Sequence, residues 1–488
     1  MLENKLKSYV KEFNDRDEEL YQNAVPNADA YEWLKERAPR FECPDESIER
    51  TYYFRLWTYR KHIKETPDGY IVSEFLPPVP WSGPYNIINA AAGHHLYEGR
   101  WLRGSEDFLV SYTDFFLNHS KEGHRYSSWL LNAARALEDV KGKALFSDRL
   151  DKMLDYFAEW EKTHATAAGL FWSYDGRDAM EFSISGTKNM KSVKGTRPTL
   201  NSYMYAEAIA ISEFAEREGE VQIAEKFARR AEEIKEKINR YLWDGDFYKA
   251  LHGDTDEEVD AAFSAQDFHG VPREEIGYIP WMFSIPPRER NTAFSYLADE
   301  KCFLCDFGYT TADRSDLCYL FEADHECLWN GYVWPFATSE TLTALYTAAR
   351  GDRTLVPIFI EGLKRYADSH KITLGEKVLP WIDEVISPLD GSWSSRTILE
   401  NLGWQRELGG VERGKDYNHS TFIDLIISGT VGVKCDKDAL SCEPMIPEDW
   451  DYFRLENLEY RGKVYTVTYD KTGRKYGRGK GLIITSEE

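Results

Sequence analysis

The chain has 488 residues, of which 83 are acidic and 60 are basic, so its formal net charge is −23. A field of that sign repels phosphate groups, which argues against nucleic acids and anionic membranes as partners. No apolar run approaches the roughly 20 residues that a membrane-spanning helix needs, and the charged start MLENKLKSYVKEF is not typical of a signal peptide.

In most of the chain, the apolar residues are spaced as in amphipathic helices. The clearest stripe lies in 221–242, where apolar residues from Ala224 to Tyr241 share one face among Lys, Arg and Glu. Long loops rich in Trp, Gly, Pro and Asp separate the helices, and loops of that length in a compact domain are usually functional. The predicted helices are 46–63, 104–118, 127–139, 148–163, 199–218, 221–242, 336–350, 355–369 and 418–429. The long loops are 64–87, 170–198, 269–290, 302–335 and 377–417.

From residue 433 the pattern changes to alternating β-branched and aromatic residues with glycine turns, which predicts a small antiparallel β-unit. We therefore divide the chain into a helical domain at 1–432, with a helical extension over about the first 45 residues, and a β-rich unit at 433–488. Paired helices with a terminal β-unit favour an all-α fold, an (α/α)6 toroidal barrel. An α-solenoid is the alternative, but we find no sequence repeat that supports it.

Two aromatic segments carry polar groups that suit sugar recognition. One lies in the loop 170–198, and the other, WNGYVWP, spans 329–335 and leads into a predicted helix. Aromatic faces stack on sugar rings and also pack cores, so composition alone does not decide between the two roles. The candidate substrate-binding residues of these segments are Trp172, Arg177, Trp329, Asn330, Gly331 and Trp334.

A third aromatic segment, PWSGPYN, spans 80–86 and precedes the adjacent histidines His94 and His95. Neighbouring residues of a helix point to different faces, so His94 and His95 cannot readily bind one metal ion together. We expect them to be packing residues instead. Aromatic residues further along the chain are candidates to line the entrance of the same binding site. The candidate binding residues here are Trp81, Tyr85, Asn86, Tyr126 and Trp129.

Carboxylates gather in a charged stretch ahead of the last predicted helix. Glu400, Glu407 and Glu412 all precede His419, which we also count as a candidate binding residue. Charged loops are common, so this cluster alone is weak evidence. Asp178 supplies a further carboxylate, on the loop 170–198 in the other half of the chain.

Seven cysteines spread over this length are typical of reduced thiols, so we expect a cytoplasmic protein. Cys302, Cys305, Cys318 and Cys327 match a four-thiolate zinc site only in part, because the second half lacks a paired spacing. The sequence also lacks the glycine-rich and His-Glu-x-x-His motifs of nucleotide and zinc enzymes. We expect neither a metal nor a cofactor.

Taken in order, these segments resemble the helical-barrel glycosidases of glycoside hydrolase family 63, a group that includes processing glucosidases and mannosylglycerate hydrolases. Gly176-Arg177-Asp178 is similar to the short motif that carries the general acid of the family, and WNGYVWP to its Trp-x-Gly-x-x-Trp-Pro segment. Glu400-Asn401-Leu402 resembles the later segment that carries the general base. The resemblance covers roughly residues 75–430.

The resemblance implies an inverting exo-glycoside hydrolase that cleaves a short α-linked glucoside or mannoside. Asp178 would be the general acid with a raised pKa, and Glu400 the general base that activates water, with Glu407 and Glu412 as alternative bases. The partner would be a small carbohydrate, and a homo-oligomeric state is left open. The alternative functions are an inverting glycoside phosphorylase on the same barrel, a sugar epimerase and a non-catalytic carbohydrate-binding protein.

Overall fold

Helices dominate the chain up to residue 430 in the computed structural model, which describes residues 2–253, 255–266, 268, 270–435 and 438–487. Each of the predicted helices is confirmed, with ends that shift by a few residues. The longer helices are Leu2–Asn14, Ala30–Arg37, Glu46–Lys61, Ala92–Gly99, Glu106–Asn118, Leu130–Lys141, Leu150–His164, Pro198–Glu218, Val221–Tyr241, Asp256–Ala265, Pro335–Ala349, Val356–Ser369 and Ser394–Asn401. The last predicted helix is a single α-turn, Phe422–Asp424, that continues as a π-helix over Leu425–Thr430.

The burial of the helices separates an inner from an outer set. Every residue from Pro335 to Tyr346 is buried, so this helix contacts protein on all sides. Val221–Tyr241 instead buries a single stripe that includes Ile234 and Ile238, as its periodicity predicts. It packs against Pro198–Glu218, and Gly219 in a left-handed conformation at φ 80° ends the first helix of this pair.

Carboxylates of inner helices cap the amino termini of their neighbours. Glu98 accepts hydrogen bonds from the backbone N–H groups of Ile423 and Asp424, at 3.2 and 2.9 Å. Glu207 does the same for Leu131 and Asn132, at 3.1 and 3.0 Å. The first N–H groups of a helix have no partner within it, and the oxygens of these two buried carboxyl groups supply the missing acceptors. These two contacts therefore fix how adjacent inner helices meet.

The predicted C-terminal β-unit is confirmed as an antiparallel sheet of the strands Tyr452–Tyr460, Lys463–Asp470 and Gly481–Glu487. A fourth strand, Arg40–Glu42, pairs with the first of these, with Phe41 opposite Leu455. The sequence analysis did not predict this strand, because three residues are too short for an alternating pattern. The sheet therefore joins the N-terminal segment to the end of the chain.

In the part of the chain that the structure describes, none of the helices combines the length and the apolar character needed to cross a membrane.

The buried carboxylate of Asp424 supports the inner helices, and its removal should be costly. Its Oδ1 accepts from Arg100 at 2.6 Å and from the indole of Trp101 at 2.8 Å, and its side chain is fully buried. Asp424→Ala leaves the guanidinium buried without its partner, so we expect the free energy of unfolding to fall by about 3–5 kcal/mol in denaturant titration. Asp438→Ala, which removes an exposed pair with Arg461, is the control and should cost less than about 1 kcal/mol. Equal losses would contradict this role of Asp424.

Candidate active site

A cavity of about 250 Å³ lies where the long loops converge. Its wall is built from the loops 64–87, 170–198, 302–335 and 377–417, with further residues at the starts of the adjoining helices. Four carboxyl groups face it, from Glu74, Glu181, Glu326 and Glu384. Its aromatic lining is Phe75, Trp81, Tyr126, Trp334 and Tyr417, and its other polar lining includes His325, Cys327, Arg413 and His419.

Arg413 is a buried cation that joins two of these carboxylates. Its Nε and Nη2 donate to Oε2 of Glu384, at 2.9 and 2.5 Å, and its Nη1 donates to Oε1 of Glu326 at 2.7 Å. Burial raises the pKa of Glu384, and the charge of Arg413 opposes that rise. Burial also disfavours ionisation of Glu326, but here the charge of Arg413 outweighs it and lowers the pKa. Arg413 therefore favours the ionised form of both carboxyls.

Glu181 is in a different electrostatic environment. Burial raises its pKa to about 8, and the neighbouring carboxylates of Asp175, Glu74 and Glu384 act in the same direction. Within the described residues no ion pair joins Glu181 to a cation. This carboxyl consequently keeps its proton at neutral pH, in the same cavity wall as two carboxyl groups whose ionised form Arg413 favours.

Glu74 also has a raised pKa, which burial brings to about 8 against the charge of Arg413. Its Oε1 lies 2.9 Å from Nε2 of His419, whose Nδ1 is in turn 2.7 Å from the hydroxyl of Tyr417. Burial lowers the pKa of His419 to about 3, so the imidazole stays neutral. Glu74, His419 and Tyr417 thus present hydrogen-bonding groups without a positive charge.

Local contacts hold the loop 170–198 in the shape that exposes Glu181. The buried carboxylate of Asp175 accepts from the N–H of Gly176 at 2.8 Å and from the hydroxyl of Ser192 at 2.7 Å. Ala179 and Phe182 adopt left-handed conformations, at φ 58° and 59°, so the chain turns sharply on both sides of Glu181. Non-glycine residues adopt such angles at a cost, and that cost is common at functional sites.

Two further loops are fixed by backbone and amide contacts. Asn86 accepts from the N–H of Val79 at 2.9 Å and donates to the carbonyls of Phe75 and Pro77, which shapes the loop that carries Trp81. In the loop 377–417, Ile386 pairs with Val333 through two backbone hydrogen bonds of 2.8 and 3.0 Å. This pairing sets Glu384 beside the WNGYVWP segment.

Four of the predicted binding residues line the cavity, namely Trp81, Tyr126, Trp334 and His419. Trp329 lies behind Trp334 and stacks on it, with ring centroids 4.5 Å apart and planes at 21°. The indole N–H of Trp334 donates to the carbonyl of Leu328 at 2.8 Å, which fixes the orientation of its ring. Trp334 therefore offers a rigid face to the cavity.

The other predicted binding residues do not line the cavity and make structural contacts around it. Asn86 shapes its loop as described, and Tyr85 is partly exposed and donates to Asp68 at 2.9 Å. Trp129 is buried beneath the site against the ring of His94, and Trp172 lies under the ammonium group of Lys194. Three more have structural contacts: Arg177 donates to the carbonyls of His124 and Arg125, Asn330 donates to the carbonyl of Phe321, and Gly331 has its Cα against the ring of Tyr319.

The predicted acid, Asp178, does not line the cavity. Its carboxylate is fully buried and accepts from Nε of Arg197 at 2.7 Å and from the hydroxyls of Ser127 and Ser173, both at 2.9 Å. Burial raises the pKa of Asp178, and the charge of Arg197 opposes the rise. Asp178 thus braces the loop 170–198 from behind.

The predicted base also lies elsewhere. The side chain of Glu400 is 56% exposed and pairs with Arg396 at 3.0 Å, one turn earlier in the helix Ser394–Asn401. Glu412 pairs with the same Arg396 at 2.6 Å, and Glu407 is exposed. The structure therefore brings neither Asp178 nor these three glutamates to the cavity wall.

The sequence analysis did not single out Glu74, Glu384 or Arg413. Glu384 lies in PWIDE, where an acidic pair follows an aromatic residue within the loop 377–417, and Glu74 begins the aromatic loop that carries Trp81. A search for carboxylates within the aromatic loops would have included both residues. Arg413 gave no such signal, because it is one charge among many in its segment.

The cysteines of the considered zinc site do not form a ligand set in the described residues, where no three His, Cys, Asp or Glu side chains cluster as metal ligands. Cys302 and Cys305 are buried, and Cys318 is exposed. Cys327 lies at the cavity, with its Sγ 3.3 Å from Nη2 of Arg413.

Comparison with solved structures relates the whole chain to known proteins. A protein described as a sialidase is 34% identical over all of this chain, with a TM-score of 0.88, and this chain spans 43% of its length. The GH63 mannosylglycerate hydrolase from Thermus thermophilus, in complex with glucose, matches 77% of this chain and 98% of its own at 10% identity and a TM-score of 0.52. A GH78 rhamnosidase of Bacillus sp. GL1 matches 88% of this chain and 40% of its own at 13% identity and a TM-score of 0.54.

Two family models divide the chain between them. Residues 433–485 match the C-terminal domain of glycosyl hydrolase family 65, which coincides with the β-rich unit. Residues 84–420 match the mannosylglycerate hydrolase MGH1-like glycoside hydrolase domain, which contains most of the cavity wall. Since this second match covers most of the chain, the protein belongs to the MGH1-like family of glycoside hydrolases.

Proposed function

We propose that the protein is an inverting exo-glycoside hydrolase that releases one sugar from a short α-linked glucoside or mannoside. One observation carries the proposal: the cavity holds a carboxyl that keeps its proton, Glu181, together with Glu384, whose ionised form a buried arginine favours through two hydrogen bonds. Inverting glycosidases need such a pair, one acid to protonate the leaving oxygen and one base to activate water. The membership of the glycoside hydrolase family supports the same chemistry.

In this mechanism Glu181 donates its proton to the glycosidic oxygen as the bond to the anomeric carbon breaks. A water molecule attacks that carbon from the opposite face and passes its proton to Glu384. The pKa of Glu181 at about 8 suits an acid that works near neutrality, and the ion pair with Arg413 keeps Glu384 able to accept a proton. Asp178 acts as a positioning residue, since its brace to Arg197 holds the loop that presents Glu181.

The size and lining of the cavity support a single terminal sugar as the ligand. Its volume of about 250 Å³ is below the roughly 300–1,000 Å³ of pockets that take drug-sized ligands. The ring of Trp334 offers a flat apolar face, while Glu74 and His419 offer hydrogen bonds to hydroxyl groups. A site with one sugar-sized pocket favours attack at chain ends over attack within a chain.

The helix contacts support an (α/α)6 toroid around this site. Ala92–Gly99 contacts Leu130–Lys141, which contacts Pro198–Glu218, and a short helix, Ile279–Met282, links that helix to Pro335–Ala349. The π-helix Leu425–Thr430 packs on Pro335–Ala349, and the preceding turn Phe422–Asp424 returns to Ala92–Gly99, which closes a ring of six inner elements. We assign catalysis to the unit 1–432. The β-rich unit 433–488 would stabilise it through the strand Arg40–Glu42, which joins its sheet.

The charge of the cavity disfavours the rival activities. A phosphorylase needs cations for its phosphate, but Arg413 is already engaged by two carboxylates. A sialic acid glycoside, suggested by the name of the 34% identical relative, meets the same obstacle. An epimerase that relies on histidine would need a titratable imidazole, whereas burial lowers the pKa of His419 to about 3. A non-catalytic binding protein would have no need of the protonated Glu181.

Glu181→Gln tests the acid. The amide cannot donate a proton to a leaving oxygen, so we expect a loss of about 10²–10⁴ in kcat on an alkyl glycoside. A nitrophenyl glycoside needs little protonation and should recover much of that rate. Asp178→Asn leaves Arg197 buried without its partner, so it should lower the melting temperature and slow both substrates alike. If the nitrophenyl substrate rescues Asp178→Asn instead, the acid is Asp178.

Glu384→Gln tests the base and the stereochemistry together. We expect a loss of about 10²–10⁴ in rate, partly restored by azide, which attacks without needing a base. Proton NMR of the first-formed sugar from the native enzyme should show the anomer opposite to that of the substrate. Glu400→Gln, which changes an exposed side chain outside the cavity, should turn over normally. Retention of configuration, or a dead Glu400→Gln with an active Glu384→Gln, would exclude this assignment.

The pH profile of kcat/KM should be bell-shaped. Activity is lost as the pH rises through the pKa of Glu181, at about 8, because the acid loses its proton. It is lost on the other side as the pH falls through the pKa of Glu384, which burial raises above its usual range. Arg413→Met removes the opposing charge, so the acidic limb should move to higher pH while Arg413→Lys keeps it in place. If the acidic limb stays at the same pH in Arg413→Met, another group is the base.

A further inference from the structure

Every nitrogen of the Arg413 guanidinium already donates to a protein acceptor. Besides the contacts to Glu384 and Glu326, Nη1 donates to the carbonyl of Leu408 at 3.1 Å and Nη2 to the hydroxyl of Ser395 at 3.2 Å. The side chain of Arg413 is fully buried. An arginine donates five N–H bonds at most, so little donor capacity is left for a ligand.

The second carboxylate on this arginine is not required by the proposed chemistry. Glu384 alone would hold Arg413 in place and serve as the base. Glu326 comes from a different loop, faces the cavity, and contacts Arg413 only at Nη1, at 2.7 Å. With it, the Arg413 group carries two negative charges against one positive charge, so its net charge is negative.

We propose that Glu326 is a specificity-determining residue, which neutralises Arg413 so that the cavity accepts sugars without a charge and rejects sugars that carry a carboxylate. The inference rests on the proposed function in one respect, that this cavity holds the terminal sugar. Sialic and uronic acids are the excluded class, and neutral hexoses are the accepted one.

The other polar groups of the cavity reinforce the rejection. A carboxylate that enters the cavity loses its water shell and needs a cation or several donors in exchange. Glu74 and Glu181 offer no positive charge, and His419 stays neutral because burial lowers its pKa to about 3. The Nδ1 of His325, the other imidazole of the lining, is engaged by the backbone of Cys327. A carboxylate would instead lie beside the two glutamates that pair with Arg413, Glu384 and Glu326. Placing like charges next to each other in a binding site is strongly unfavourable.

Binding of matched sugar pairs tests the proposal. The probes are methyl α-glucoside and methyl α-mannoside, each compared by calorimetry with the uronide that carries a carboxylate at carbon 6. The native protein should bind the neutral member at least about tenfold more tightly, which corresponds to about 1.4 kcal/mol. Glu326→Gln removes one negative charge beside Arg413 and should shift the ratio of the two affinities toward the uronide by about tenfold. Glu326→Asp keeps the charge and should retain the native ratio.

The ratio of the affinities for the neutral sugar and its uronide reports on specificity alone, because a folding defect lowers both affinities and the binding measurement does not require catalysis. A loss of structure in Glu326→Gln would weaken both sugars alike, and the ratio measured on the native protein then still tests the proposal. If the native protein binds a uronide as tightly as its neutral partner, or if a folded Glu326→Gln keeps the native ratio, the proposal is overturned. If neutral sugars bind selectively but no glycoside is hydrolysed, hydrolysis fails and the specificity stands. If none of the four probes binds, both proposals fail.

Discussion

The buried guanidinium of Arg413 is the interaction on which the site depends. It joins Glu326, from the loop that precedes WNGYVWP, to Glu384, from the loop 377–417, so one side chain holds two walls of the cavity together. Burying these charges costs several kcal/mol for each ion, and only a well-formed set of hydrogen bonds offsets that cost. The same contact that organises the loops therefore also sets which carboxyls of the cavity are ionised.

Around this ion pair, cavity-facing and structural carboxyl groups are separated by the direction of their side chains and not by distance along the chain. Asp178 and Glu181 are three residues apart, yet one is bound by Arg197 behind the loop and the other faces the cavity. The left-handed conformation of Ala179 between them makes this possible. The inner helices use further carboxylates, such as Glu98 and Glu207, to cap their neighbours, so buried acids serve the scaffold as well as the site.

The sequence predicted the helices and the loops that matter, because helical periodicity and aromatic clustering are local properties. It also predicted four lining residues, Trp81, Tyr126, Trp334 and His419. It did not predict which carboxylates face inward, since that depends on backbone turns and on partners far along the chain. Glu400 lies on a regular helix whose exposed face pairs it with Arg396, and the sequence gives no sign of that orientation.

Two glutamates of one cavity can therefore differ in protonation at the same pH because a single cation is shared unequally. Glu384 pairs with Arg413. At Glu181, burial and neighbouring negative charges outweigh the one backbone hydrogen bond that favours ionisation. Ionisation of Glu384 further raises the pKa of Glu181, so in the proposed mechanism the base would help to keep the acid protonated. The proposed division between acid and base thus follows from the placement of one arginine, and a sequence change that moves Arg413 would alter both roles together.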